Sequence, residues 1–599
     1  MRSNAGASRS SSRANSRVAA SKGVAFSKSP VLAVRLPDWR SRVVLFALFA
    51  AFVALAGRAL WLQGVSNQFL QKQGASRYMR TEELPATRGK IFDRNGMVLA
   101  SSLPVKSVSI FTDDYKANPA SSEQVRELAS LLEMPQAELL KKLNSDRSYV
   151  YLKRQVEMDV VAKIEKMGIE GIDTRKEYKR FYPQGEVMTH MVGFTNVEDV
   201  GQEAIELAQQ KALAGQTGSR PVIKDRLGRI VEDVGLSREP HDGKDLTLSV
   251  DSKLQYIAFN SIKSAVEKFH AKAGAAVVLD VHTGEVLALA NWPTYDPNNR
   301  AHLTGEQLRN RVITDTFEPG STLKPFTVSL ALDKGLITPN TMFDTGNGRF
   351  IVGGHTIRDT HAHGVINVST IIQKSSNIGT SKISQMMSAQ DMWEMFTKVG
   401  FGQAPRFGFP GAVAGRVRPY KSWRPVEQAN MSFGQGISMS LLQLARAWMI
   451  FARDGDMIPL SFQKVTEKPV GQQVISPRTA AQMRVMVESV VSPEGTAAQA
   501  QVPGYRVGGK TGTAQKVIDG HYSQTRYVGN FVGIAPMSNP RFVIAVMIDD
   551  PSGPFHTGGA VAAPTFAALA ANALRAANVP PDSTVTDIII PEHPLEESN

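Results

Sequence analysis

Ser321 and Lys324 stand three residues apart in TFEPGSTLKP, directly after a Pro-Gly turn. Such a turn starts a helix, and i, i+3 neighbours share a helix face, so hydroxyl and amine meet beside backbone N–H groups of partial positive charge. That arrangement suits an activated serine with a lysine base. The spacing alone is not specific: Ser-x-x-Lys is expected about twice by chance in a chain of this length. It recurs at Ser461 and Lys464. Two further motifs supply what this pair lacks. Ser375-Ser376-Asn377 places three small polar residues in an otherwise apolar helical stretch, where they cost helix propensity. Lys510-Thr511-Gly512-Thr513 follows Val507-Gly508-Gly509 and reads as a strand whose glycines admit a second backbone. Together, in this order and within one domain, the three motifs form a specific set for acyl transfer.

The elements that must bring these motifs together span some two hundred residues. GAAVVLDVHTGEVLALA (Gly274 to Ala290) is two β-rich runs joined at His282-Thr283-Gly284; TRYVGNFVGIAP and RFVIAVMIDD flank a second turn at Met537-Ser538-Asn539-Pro540. Both read as hairpins. Strands at both ends with helices inserted between them predict an antiparallel sheet closed by N- and C-terminal hairpins, hence an α+β domain. Upstream, SSEQVRELASLLEMPQAELLKKL has helical spacing and reads as a solvated helix of a support domain. RGKIFDRNG and KRFYPQGEVMTHMVGFTN hold no catalytic constellation and read as structural, the first with a hairpin turn at Arg94-Asn95-Gly96.

Composition narrows the function. The chain has 599 residues, 42% hydrophobic and 21% charged, with a net charge of +13, enough for two or three domains. Residues 1–42 hold nine basic residues against Asp38, so eight of the thirteen positive charges lie in this Ser/Arg/Ala-rich tail. Its composition cannot bury a core and predicts disorder. No basic cluster follows it, which argues against nucleic acid. Val43 to Leu62 is apolar over 20 positions, about 30 Å of helix and the thickness of a bilayer core. With positive charge before it, this helix (residues 43–63) places the N-terminus in the cytoplasm and the rest of the chain outside. Ala54-Leu55-Ala56 has the form of a leader cleavage site, but apolar sequence continues past it. There is no cysteine, so thiol catalysis and Cys-based metal sites are excluded. His355, His361 and His363 lack the carboxylate spacing of a zinc site; no metal or cofactor is expected.

The motifs carry a resemblance that covers roughly residues 43 to 575. RGKIFDRNG, RFYPQGEVMTHMVGFTN, GQEAIE, NWPTYDPNN, EPGSTLKP, QKSSNIGTSK, SFGQGIS and GGKTGTAQK resemble, in order, the blocks of class B penicillin-binding proteins, most closely the division-specific FtsI type. The resemblance implies a pedestal (dimerisation-like) domain at 65–245 and, at 246–575, a transpeptidase domain with an antiparallel sheet and an all-helical subdomain. An irregular tail at 576–599 would follow. It implies a peptidoglycan D,D-transpeptidase at the division septum of the inner membrane, with stem peptides ending in D-Ala-D-Ala as substrate, β-lactams as inhibitors and an FtsW-type glycosyltransferase as partner. Ser321 would be the nucleophile and Lys324 its base. Ser375 and Asn377 would relay the proton and hold the peptide, while Lys510, Thr511, Gly512 and Thr513 would meet the substrate carboxylate. The elongation-specific transpeptidase shares the three motifs and is the alternative. A β-lactam sensor lacks an output domain here, and Glu427, in a segment faintly like the deacylating region of class A β-lactamases, is out of spacing by one residue.

Overall fold

The computed structural model describes residues 38–65, 79–225, 230–233, 235, 237–585 and 587–591. The expected disordered tail therefore lies outside the described residues, apart from its last five positions. Contacts divide the chain into two units, residues 1–80 with 222–232, and residues 81–221 with 233–599.

In the first unit a single helix, Asp38–Leu60, continues as a π-turn over Trp61–Val65. Residues 38–63 have a mean hydropathy of 2.3 over the best window, and the helix buries none of its side chains against protein. Length and apolarity suit a bilayer span. The helix starts five residues before the apolar run, taking in Arg40 and Arg42, and Arg58 lies in its last turn.

In the second unit the N-terminal part is organised by the long strand Val98–Phe111. It pairs antiparallel with Tyr149–Val156 and with Ile172–Phe181. The expected single helix over 121–143 is two, Ser122–Leu131 and Gln136–Leu143. Glu133 adopts φ 49° and Pro135 cannot continue the first helix, so the chain restarts. Val125, Leu128, Leu139 and Leu143 are buried in a satellite core with Met158–Lys166, so these helices are amphipathic rather than solvated. At Arg88 to Gly96 the predicted turn forms: Asp93 Oδ1 accepts from the Asn95 and Met97 amides, each at 2.8 Å, and Gly96 has φ +90°. The remaining signature residues converge on one carboxylate. Glu206 accepts from Arg88 Nε at 2.6 Å and Arg180 Nε at 2.7 Å, all three buried.

The C-terminal part is built on a five-stranded antiparallel sheet. Its spatial order is Val286–Trp292, Ala273–Asp280, Phe542–Asp549, His521–Ala535, Gly508–Ile518. The two hairpins predicted from sequence close it, because Ala273–Asp280 pairs directly with Phe542–Asp549 over eight residues. These two central strands are continuous apolar runs, as a sheet covered on both faces requires. Ser252–Lys268, capped by Asp251, and Gly558–Ala576 pack on the sheet and on each other; Leu441–Ala452 also packs on the two central strands. The helices between residues 311 and 452 carry two of the three motifs.

Candidate active site

Ser321 sits in a 3₁₀ turn, Gly320–Leu323, that leads into the α-helix Lys324–Asp333. The sequence predicted an α-helical start. The tighter turn favours the pair, since three residues per turn bring i and i+3 into line. Gly320 has φ +57°, and a Cβ there would lie 2.8 Å from the Thr513 carbonyl. Only glycine lets the turn before the nucleophile rest on the Lys510-Thr511-Gly512-Thr513 strand. Gly512 completes the approach from the other side: its Cβ would fall 2.4 Å from the Pro319 carbonyl. Asn530, on the neighbouring strand, fixes this seam through Nδ2 donating to the same carbonyl at 3.3 Å.

Ser375 corrects the expectation of a helical position. It ends the helix Val368–Lys374 in the left-handed region (φ 62°, ψ 39°), and Ser376 caps the next helix, Asn377–Ser384. A non-glycine residue held there costs of order 1–2 kcal/mol and marks a functional constraint. The fixing group is Asp359, which sequence reasoning missed. Its carboxylate accepts from Ser376 Oγ at 2.6 Å and from the Ile378 amide at 3.1 Å. No motif signals it, because it lies 17 residues away in a separate loop.

Lys324 and Lys510 are both fully buried. Lys324 Nζ donates to the Ser375 carbonyl and, at 3.0 Å, to Ser375 Oγ, joining the first two motifs. Lys510 Nζ meets Thr511 Oγ1 at 3.1 Å, and that hydroxyl lies 3.2 Å from Thr496 Oγ1 in the interior. Thr511 is fully buried and Thr513 is 8% exposed; Thr513 Oγ1 accepts from the Gly558 amide at 2.9 Å. Asn377 Nδ2 donates to the Arg358 carbonyl at 3.1 Å. These contacts bring the Ser321 turn, Lys324 and Ser375 together with the Lys510 to Thr513 strand, and Asn377 follows on the helix after Ser375.

The competing motifs fall elsewhere. Ser461 Oγ donates to the Gln463 carbonyl at 2.7 Å and Lys464 Nζ to the Arg94 carbonyl at 2.9 Å, so the second serine-lysine pair joins chain segments. Glu427 accepts from Arg424 at 2.6 Å in a helix-capping pair that holds its carboxyl down at about 2.

Residues 274–571 match the model of the penicillin-binding protein transpeptidase domain, and residues 83–248 that of the penicillin-binding protein dimerisation domain. The chain is 42% identical over 550 residues to a probable peptidoglycan D,D-transpeptidase, PenA, of Neisseria gonorrhoeae, covering 91% of this chain and 94% of that one. It is 38% identical to the peptidoglycan D,D-transpeptidase FtsI of Escherichia coli K12, over 92% and 94% of the two chains. The solved transpeptidase domain of Burkholderia pseudomallei penicillin-binding protein 3 is 54% identical, with a TM-score of 0.53 over 56% of this chain and 98% of that structure. A cleft built from three motifs on a hairpin-closed sheet, together with these matches over nine-tenths of the sequence, shows that the chain belongs to the class B penicillin-binding proteins.

Proposed function

We propose that the chain is a membrane-anchored serine D,D-transpeptidase that cross-links peptidoglycan stem peptides through an acyl-enzyme on Ser321. The observation that carries this reading is the contact of Lys324 Nζ with Ser375 Oγ, beside a turn seated on the Thr513 strand. Ser321 attacks the carbonyl of the penultimate D-alanine. Lys324 takes its proton; full burial disfavours charge on this amine and suits a base. The proton passes through Ser375 to the nitrogen of the departing D-alanine, and the ester on Ser321 remains. Backbone N–H groups of Ser321 and Thr513 meet the oxyanion. Asn377 holds the peptide amide; Lys510, Gly512 and Thr513 form the wall for the terminal carboxylate, with Thr511 behind it. An acceptor amine then takes the acyl group. A β-lactam, as an acyl mimic, stops at the ester.

Residues 43–63 serve as the single-pass anchor, with the N-terminus cytoplasmic and the catalytic part periplasmic. Residues 65–245 act as pedestal and 246–575 as transpeptidase domain, consistent with the spans of the two family models. A septal role with an FtsW-type partner rests on the resemblance of the sequence blocks to the FtsI type. Intact-mass and peptide mass spectrometry after penicillin treatment tests the chemistry: the adduct is expected on Ser321 and lost in Ser321→Ala, with stem-peptide dimers formed by the untreated enzyme. An adduct on another side chain would overturn the assignment. Depletion tests the cellular role, since filaments indicate division and rounding indicates elongation.

A further inference from the structure

The strand that carries Lys510 to Thr513 runs on through Ala514 and Gln515, which line a cavity of about 540 Å³. Glu318, three residues before Ser321, lines the same cavity with Arg416, Arg418 and Gly436. Three residues of chain span at most about 10 Å, so Glu318 lies within about three extended residues of the nucleophile along the backbone. The other charges here are largely matched: Arg309 and Arg311 bind Asp315 at 2.9 and 3.0 Å, and Lys516 binds Asp549. Glu318, Arg416 and Arg418 have no ion-pair partner among the described residues. Glu318 is held only by neutral donors. Oε1 accepts from the Gly436 amide at 2.9 Å and from the Tyr522 hydroxyl at 3.0 Å, and Oε2 lies 3.2 Å from that hydroxyl. Arg418 lies over the same glycine, its Nη2 3.7 Å from where a Gly436 Cβ would be. Burial raises Glu318 above the usual carboxylate range. A half-buried carboxylate and two guanidiniums lining one cavity, none of them ion-paired among the described residues, complement a ligand bearing both an ammonium and a carboxylate.

We propose that this cavity is the acceptor subsite, in which Glu318 receives the ammonium group of the incoming stem peptide and removes its first proton, while Arg416 and Arg418 hold a carboxylate of the same peptide. The inference rests on the acyl-enzyme reading above. An ammonium cannot attack; it must lose a proton to expose its lone pair. Glu318 takes that proton and later releases it to solvent. The amine nitrogen then bonds to the acyl carbon, the bond from that carbon to Ser321 Oγ breaks, and the second amine proton returns through Lys324 to Ser321 Oγ.

The test uses the full chain in detergent with a benzoyl-D-alanyl thioester as donor. D-alanine and D-alaninamide serve as acceptors, and the ratio of aminolysis to hydrolysis is read by mass spectrometry; acylation cancels in this ratio. Glu318→Gln is expected to lower it about a hundredfold for both acceptors. Capture by hydroxylamine, already uncharged at neutral pH, should keep its wild-type ratio. Arg418→Met should remove any preference for D-alanine over D-alaninamide. An aminolysis ratio in Glu318→Gln within about twofold of wild type overturns the proposal. So does an equal loss with hydroxylamine, which would mean that Glu318 only braces the Gly436 turn. A wild-type enzyme that forms no acyl-enzyme from the thioester or from penicillin overturns the underlying reading, and the acceptor subsite with it.

Discussion

Two clusters of buried charge lie in the same unit and differ in the contacts seen to hold them. In the N-terminal part, Glu206 accepts from Arg88 and Arg180 in geometry close enough for charge-assisted bonds, and Arg88 also reaches the Glu206 carbonyl at 2.8 Å and Gln210 Oε1 at 2.8 Å. In the cleft, Lys324 meets the carbonyl and hydroxyl of Ser375, and Lys510 meets the hydroxyl of Thr511. Opposite charges pin each other's protonation and position; hydroxyls and carbonyls accept a hydrogen bond without locking the charge state. The first cluster is fixed by opposite charge, whereas the Lys324–Ser375 contact joins an amine to a hydroxyl, a pair through which a proton can pass. The buried arginines join RGKIFDRNG, KRFYPQG and GQEAIE, which is why those segments stand out in the sequence without holding any catalytic set.

The comparison breaks most sharply at the lysine. Lys324→Met should lower the rate of penicillin acylation about 10²–10⁴-fold while leaving the urea unfolding midpoint unchanged or raised, because an apolar side chain of similar size replaces a buried amine. A large loss of stability instead would mean that the cleft depends on its charge as the other cluster does. Glu206→Gln tests the other side. It leaves two buried guanidiniums short of their counter-charge and should cost about 3–5 kcal/mol in urea unfolding, with acylation of the folded fraction retained.

A pH series refines the contrast, since His190 is buried without a counter-charge among the described residues and its Nε2 lies 2.8 Å from the Gln307 carbonyl. Burial pushes it down to about 4. The unfolded state therefore binds the proton first, and the contribution is complete above about pH 6.5 and lost as pH falls towards 4. The linkage limit is about 3 kcal/mol, and His190→Gln should flatten this part of the stability profile measured by urea unfolding. The smallest effect has two opposite signs. Ser375→Gly should raise stability by about 1 kcal/mol by relieving the left-handed backbone, yet lower penicillin acylation about a hundredfold by removing the hydroxyl that contacts Lys324. If both quantities fall, the hydroxyl is part of the packing as well as of the chemistry.

Much of this was legible before any fold was known. The two hairpins needed only alternating or continuous apolar runs bounded by Gly and Pro, and both formed with the predicted turns. The three motifs needed only their order and types. What failed was local conformation at the motifs themselves: Ser321 in a 3₁₀ turn and Ser375 in a left-handed break, where helices were expected. Propensity describes what a segment prefers alone; these two are held by partners distant in sequence, Thr513 beneath Gly320 and Asp359 beneath Ser376. The helical stretch at 121–143 divides for a nearer reason, Pro135 at its centre, which ends one helix and caps the next.

The sequence by itself determined the apolar span near the N-terminus, the α+β class and the three motifs proposed to carry the chemistry, because periodicity and residue type are properties of short segments. Only the tertiary structure decided that Gly320 and Gly512 let two backbones touch, that Asp359 fixes the serine break, and that Glu318 lines a cavity with Arg416 and Arg418. Those outcomes depend on which distant groups exclude water from one another, and no spacing along the chain encodes that.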